Sequence, residues 1–130
     1  MQTVDCITHD IRVSVQVAYQ GFNASGFPDH HLFAYQIFIE NLGNDPVQLL
    51  NRHWLITDGF GQKRSVDGPG VVGQQPVIQP GNHFLYTSGC PLQSEAGSMQ
   101  GTYEFENLRN GRRFDVDIPR FLLLTPQLSN

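Results

Sequence analysis

NRHWLITDGFGQKRSVDGPGVVGQQPVIQPGNHFLYTSGC, residues 51–90, contains a Gly-x-Gly-x-x-Gly run at Gly68, Gly70 and Gly73. In a dinucleotide-binding fold such a run follows a strand and opens a helix whose N-terminus holds a pyrophosphate. Here the next residues are Gln74-Gln75-Pro76 and then Val77-Ile78-Gln79-Pro80, and two prolines so close together prevent a helix of useful length. No Gly-Lys-Ser/Thr ends the run, so a P-loop is excluded as well. The glycines sit in a loop between strands, and the flanking segments decide the fold.

Those segments alternate with a period of two. Val13, Val15, Val17 and Tyr19 alternate with Arg12, Ser14, Gln16 and Gln20, and Phe33, Tyr35, Ile37 and Ile39 form a second half-buried strand. Phe38 breaks the polar face of the second, which predicts cover on both sides or a neighbouring subunit. Val47 and Leu49 face inward, whereas Trp54 and Ile56 hold the opposite parity. A period of two cannot change parity without an extra residue, so a bulge or sharp bend is predicted between Leu50 and His53. Further strands are predicted at His83–Ser88, Met99–Glu106 and Arg112–Ile118, with a short one at Phe121–Leu124. Turn signals at Gly43-Asn44-Asp45-Pro46, Gly68-Pro69-Gly70 and Asn110-Gly111 punctuate them, the last as a hairpin. No window has a 3.6-residue apolar period. Thirteen glycines and eight prolines spread between short strands indicate an all-β sandwich or barrel forming one domain over residues 1–130.

Composition narrows the function classes. A formal charge of −4 with only 15% charged residues disfavours broad binding to nucleic acid or an anionic membrane. No apolar run approaches the ~18–20 residues of a membrane span, and the polar, acidic start MQTVDCITHD lacks the order of a secretory signal. The expected location is cytoplasmic, where Cys6 and Cys90 are read as two thiols.

The chemistry-bearing groups do not assemble into a catalytic set. Asp29-His30-His31 offers metal-ligand types, but adjacent residues in an extended segment point in opposite directions, and no further ligand is spaced to join them. Glu104, Glu106, Asp115 and Asp117 alternate with apolar residues and read as the solvent face of two strands. Ser88 stands outside a nucleophile elbow, and Cys90 has no activating neighbour in sequence. No enzyme activity, metal or cofactor is expected. In Arg52-His53-Trp54, the tryptophan has core parity, His53 the opposite face, and Arg52 the parity of Trp54 unless the bend turns it outward. An anion reading is also open: backbone N–H groups in a glycine turn can form a concave nest, with Lys63 and Arg64 a few residues upstream and Arg52 on the preceding strand.

The blocks RHW-x-ITD, G-x-GVVG-x-QP and PG-x-x-F-x-YTSG, followed by Gly97, Met99, Gly101 and Tyr103, resemble the ApaG family in order and spacing. The resemblance covers most of the chain and implies an immunoglobulin- or fibronectin-III-like β-sandwich of two antiparallel sheets. It also brings a family label of cobalt resistance and magnesium efflux, which for a chain with no span implies an indirect role in divalent cation (Co2+/Mg2+) homeostasis. ApaG-like domains recur within eukaryotic F-box proteins and a DNA-polymerase-delta-interacting protein, which implies a non-catalytic protein-interaction module. The alternative is a small-molecule sensor that binds pyrophosphate or a nucleotide phosphate at Gly68, Gly70 and Gly73 with Arg52, Lys63 and Arg64. Gln74 stands where many relatives carry an acid, which makes the loop less negative. Edge pairing into a homodimer is open to such a sandwich.

Overall fold

The computed structural model describes residues 3–24 and 28–129. Its strands are β1 (Thr3–Thr8), β2 (Ile11–Asn23), β3 (His30–Asn41), β4 (Val47–Asp58), β5 (Lys63–Pro69), β6 (Val77–Ile78), β7 (His83–Leu92), β8 (Ala96–Asn107) and β9 (Arg113–Leu124). They form two antiparallel sheets, β1-β2-β3-β7 and β5-β4-β8-β9, with β6 paired to β4. This is a sandwich of two antiparallel sheets, as expected, and not a barrel.

The inward faces carry the predicted residues. Val13, Val15, Phe33, Ile37, Ile39 and Leu49 are fully buried, and Trp54 retains 4% exposure. Trp54 meets Tyr35 edge-on at 5.5 Å and Phe121 at 6.0 Å with perpendicular rings, so it fastens the two sheets together. Each such pair contributes about 0.5–1.5 kcal/mol beyond burial. The Tyr86 and Tyr103 hydroxyls bond to each other across the core. Outside the first sheet, Phe38 is half-covered by the His83 ring at 4.6 Å.

The parity change in β4 is met by a bulge. Against β8, the register of β4 jumps from Leu49↔Phe105 to Asn51↔Glu104, so Leu50 is the extra residue, at the start of the predicted interval. Three element expectations are corrected. Lys63–Pro69 is a strand, where a loop running into the Gly68-Pro69-Gly70 turn was expected. β7 continues past Ser88 to Leu92. Arg113–Leu124 is one strand, its two expected pieces joined where the register slips opposite Gln100 and Pro119-Arg120 take up the irregularity.

The sandwich closes on one flank and opens on the other. Along β1 and β9 the Asp117 N–H donates to Thr8 Oγ1 at 3.1 Å, and the Cys6 thiol donates to the Asp117 carbonyl at 3.3 Å. The other flank, between β5 and β7, contains a cleft.

Candidate functional site

The site begins at the bulge. The Leu50 carbonyl accepts from the Gly70 N–H at 2.7 Å and from Gln75 Nε2 at 2.9 Å, while Gln48 Nε2 donates to the Gln75 carbonyl at 3.0 Å. The glycine loop is thus tied to the displaced backbone of β4. Within it, Val71 and Gln74 exchange both backbone bonds, at 2.8 and 2.9 Å, around Val72 (φ 43°) and Gly73 (φ 78°). Two positive φ values inside a two-residue turn match the type I′ hairpin. Gly70 has φ 61°, and a β-carbon there would run into the Gln74 carbonyl, so no side chain fits.

Arg52 holds this loop from below. Its Nη1 donates to the carbonyls of Pro69 at 2.8 Å and Gly70 at 3.0 Å. The guanidinium lies against Gly68, where a β-carbon would be 2.9 Å from Nη2. The Leu50 bulge leaves Arg52 on the same side of β4 as Trp54, half-buried, while His53 points outward to Asp67 at 3.0 Å. The amides of Gly70, Val71 and Gln74 are donated within the loop or to Leu50.

Beside the loop lies the cleft, about 380 Å³, walled by Arg52 and Arg64 from one sheet and by Tyr35, Tyr86 and Ser88 from the other. Among the described residues no carboxylate lines it, in a chain whose net charge is −4. Arg64 reaches across from β5 to β7, where its Nη2 donates to the Pro91 carbonyl at 3.3 Å and lies 3.9 Å from the Cys90 sulfur. Burial pushes the Cys90 thiol up against the opposing pull of Arg64, and burial likewise raises the Tyr35, Tyr86 and Tyr103 phenols, so all are neutral near pH 7. Past Arg64 the cleft runs on into a second cavity of about 540 Å³, bounded by Leu32, Leu92, His30, Lys63 and Asp58.

Of the residues singled out from the sequence, Arg52, Arg64 and Gly73 line the first cavity, with Gly68 and Gly70 behind Arg52. Lys63 lines only the second. Sequence reading missed Tyr35, Tyr86 and Ser88. Their inward parity was visible, but that they face Arg52 is a matter of sheet packing. The His30 and His31 rings diverge, to the Pro28 carbonyl at 3.1 Å and the Tyr19 hydroxyl at 2.8 Å. Among the described residues no three His, Cys, Asp or Glu side chains gather around one point.

Comparison with known proteins gives a consistent result. A family model described as the ApaG domain matches residues 23–107. The chain is 46% identical over 117 residues to Protein ApaG of Bdellovibrio bacteriovorus, covering 90% of this chain and 91% of that one. It is 48% identical over 119 residues to Protein ApaG of Paramagnetospirillum magneticum, covering 92% and 91%. Among solved structures, the putative ApaA protein of Bordetella pertussis superposes with a TM-score of 0.82 at 45% identity, covering 91% of this chain and 95% of that one.

Proposed function

The chain belongs to the ApaG domain family, and from that premise we propose that it is a non-catalytic binding module that docks another protein along its open flank. The observation that carries this reading is the contrast between the flanks. The β1–β9 seam is fastened by the Cys6 and Thr8 side chains, whereas among the described residues β5 and β7 are bridged by Arg64 alone, at the Cys90–Pro91 end of β7, with a cleft between them. Exposed strand edges are surfaces on which partner chains dock.

The cleft lends itself to binding rather than to turnover. Ser88 and Cys90 face it, but among the described residues no imidazole or carboxylate lines it beside them to take a proton, and burial raises the Cys90 thiol. The His53–Asp67 pair is on the outer face, with both side chains at least half exposed. Among the described residues no helix is long and apolar enough to cross a membrane. In this reading any part in divalent cation balance is exercised in the cytoplasm through the protein partner.

The test is photo-crosslinking in cells, with a photoreactive amino acid placed in turn at exposed positions on both outer faces and on each edge. Discrete adducts with another protein from β5 or β7 positions are expected. A scan that gives only the unmodified chain from every position overturns the module reading.

A second reading has its own support. Arg52 and Arg64 converge on one carboxylate-free cleft with the Tyr35 and Ser88 hydroxyls, beside the loop of Gly68, Gly70 and Gly73, with Lys63 at the adjoining cavity. That is a donor set for pyrophosphate or a nucleotide phosphate, and it makes a small-molecule sensor the alternative. Amide shifts followed on adding pyrophosphate and ATP, with and without Mg2+, decide it. Saturable changes from Arg52 to Gly73 are expected if it holds, and no localised change up to millimolar ligand removes it.

A further inference from the structure

Which backbone groups face outward on each open edge follows from the register. Antiparallel ladders alternate bonded and non-bonded pairs. In β3–β7 the Asn41 N–H donates to the Asn82 carbonyl at 3.0 Å, and the pairing continues without a slip from Glu40↔His83 to His31↔Leu92. Counting from that bond, Phe84, Tyr86, Ser88 and Cys90 direct their N–H and C=O groups to β3. Leu85, Thr87 and Gly89 direct theirs away from the sheet. Pro91 is also in the outward set, brings no N–H, and has its carbonyl occupied by Arg64.

In β4–β5 the Asp58 N–H donates to the Gln62 carbonyl and the Gly70 N–H to the Leu50 carbonyl. The same count leaves Lys63, Ser65, Asp67 and Pro69 facing outward on β5. Two charges and a proline are the devices that blunt an edge. β1 carries Asp5, β9 carries four charged residues, and these two strands are fastened to each other. β7, HFLYTSGCPL, contains no Asp, Glu, Lys or Arg. Among the sheet edges described, it alone is long and free of Asp, Glu, Lys and Arg, and Arg64 ties it across the flank at its Cys90–Pro91 end alone.

Its two faces differ. Outward lie Leu85, 49% exposed, and its cross-strand partner Phe38 with the His83 ring on it. Inward lies the carboxylate-free cleft with Arg64 at its mouth and Arg52 behind. A strand added beside β7 alternates its side chains between these surfaces.

We propose that the β7 edge at Leu85–Gly89 takes an extended segment of a partner protein as an added strand, its apolar residues beside Leu85 and Phe38 and an acidic side chain between them turned to Arg64 and Arg52. The inference rests on the protein-interaction reading and names the partner's chemistry. The main-chain bonds supply the docking, and the guanidinium–carboxylate contact sets the preference.

The probe is a blocked heptapeptide of alternating valine and threonine with one central glutamate, compared with its glutamine twin, and binding is followed by amide shifts of the whole chain. Saturable shifts at Leu85, Thr87 and Gly89 are expected, with the glutamine twin about tenfold weaker. Arg64→Gln removes that difference. Thr87→Pro deletes an outward N–H that β3 does not use, so it leaves the melting temperature in place and abolishes binding. Should Thr87→Pro unfold the chain, Leu85→Lys tests the same edge without touching the backbone. Equal binding of the two peptides overturns the acidic preference. No shift on β7 overturns the docking edge, as does a wild-type dimer that Thr87→Pro converts to monomer, since the occupant is then a second copy. Crosslinks from β5 positions with none from Leu85 overturn this inference while leaving the open-flank module reading in force.

Discussion

The Arg52 guanidinium is seated on the α-carbon of its cross-strand neighbour Gly68, and it is from that seat that it reaches the Pro69 and Gly70 carbonyls. A methyl group at position 68 displaces the guanidinium rather than the backbone. Gly68→Ala is expected to break both bonds and to cost about 1–3 kcal/mol, the range for hydrogen bonds made by a charged group. Arg52→Ala is expected to cost a similar amount, and Gly68→Ala to be nearly neutral once Arg52 is gone. Urea unfolding of the two single variants and the double variant checks this. Additive losses contradict the shared seat.

Val72 occupies the first positive-φ position of the loop turn, at φ 43° and 54% exposed. A β-branched residue is strained there, and asparagine is preferred before glycine in a type I′ turn. Val72→Asn is expected to raise stability by about 1 kcal/mol, seen as a melting temperature higher by roughly 2–8 °C. A lower melting temperature means that the Val72 side chain contributes contacts at the cleft that outweigh the strain.

Alkaline pH acts on the buried phenols and thiol. Burial holds Tyr35, Tyr86 and Tyr103 above the ordinary value of 10.0 and Cys90 above 9.0. The unfolded chain releases these protons first, so above those values the folded state binds more protons and stability falls as pH rises. The contribution is whole below about pH 9 and is lost progressively above it. Urea midpoints taken between neutral and strongly alkaline pH are expected to stay level and then decline, with the Tyr86→Phe variant declining less steeply. A level profile throughout contradicts the burial argument.

Much of this architecture was legible because strands with one buried face must alternate. Val13 to Tyr19 and Phe33 to Ile39 do so, and the parity change between Leu49 and Trp54 forces the bulge that supports the loop. β5 was not legible, since Lys63-Arg64-Ser65-Val66-Asp67 lies exposed at an edge and has no apolar period to reveal it. β9 looked like two strands because Pro119 breaks the pattern, but it sits where the register slips and the regular ladder is already interrupted. Arg64 and Gly73 could be associated from sequence proximity, and Arg52 from its place on the preceding strand. Tyr35, Tyr86 and Ser88 come from the opposite sheet, and which edges lie free depends on strand order, which alternation does not encode.

Thr8 and Thr87 put the contrast between the flanks to a direct test. Thr8 Oγ1 accepts the Asp117 N–H at 3.1 Å and so satisfies an edge group of β9. The Thr87 side chain stands exposed on β7, with no hydrogen-bond partner among the described residues. Valine matches threonine in shape and lacks the hydroxyl. Thr8→Val is therefore expected to cost about 1 kcal/mol and to speed hydrogen exchange at Asp117, as the seam between β1 and β9 loosens. Thr87→Val is expected to leave stability within about 0.5 kcal/mol of wild type, because it takes no bond from the fold. Equal losses from the two substitutions mean that β7 is fastened in solution as firmly as β1, and the open flank then has no free edge to offer a partner.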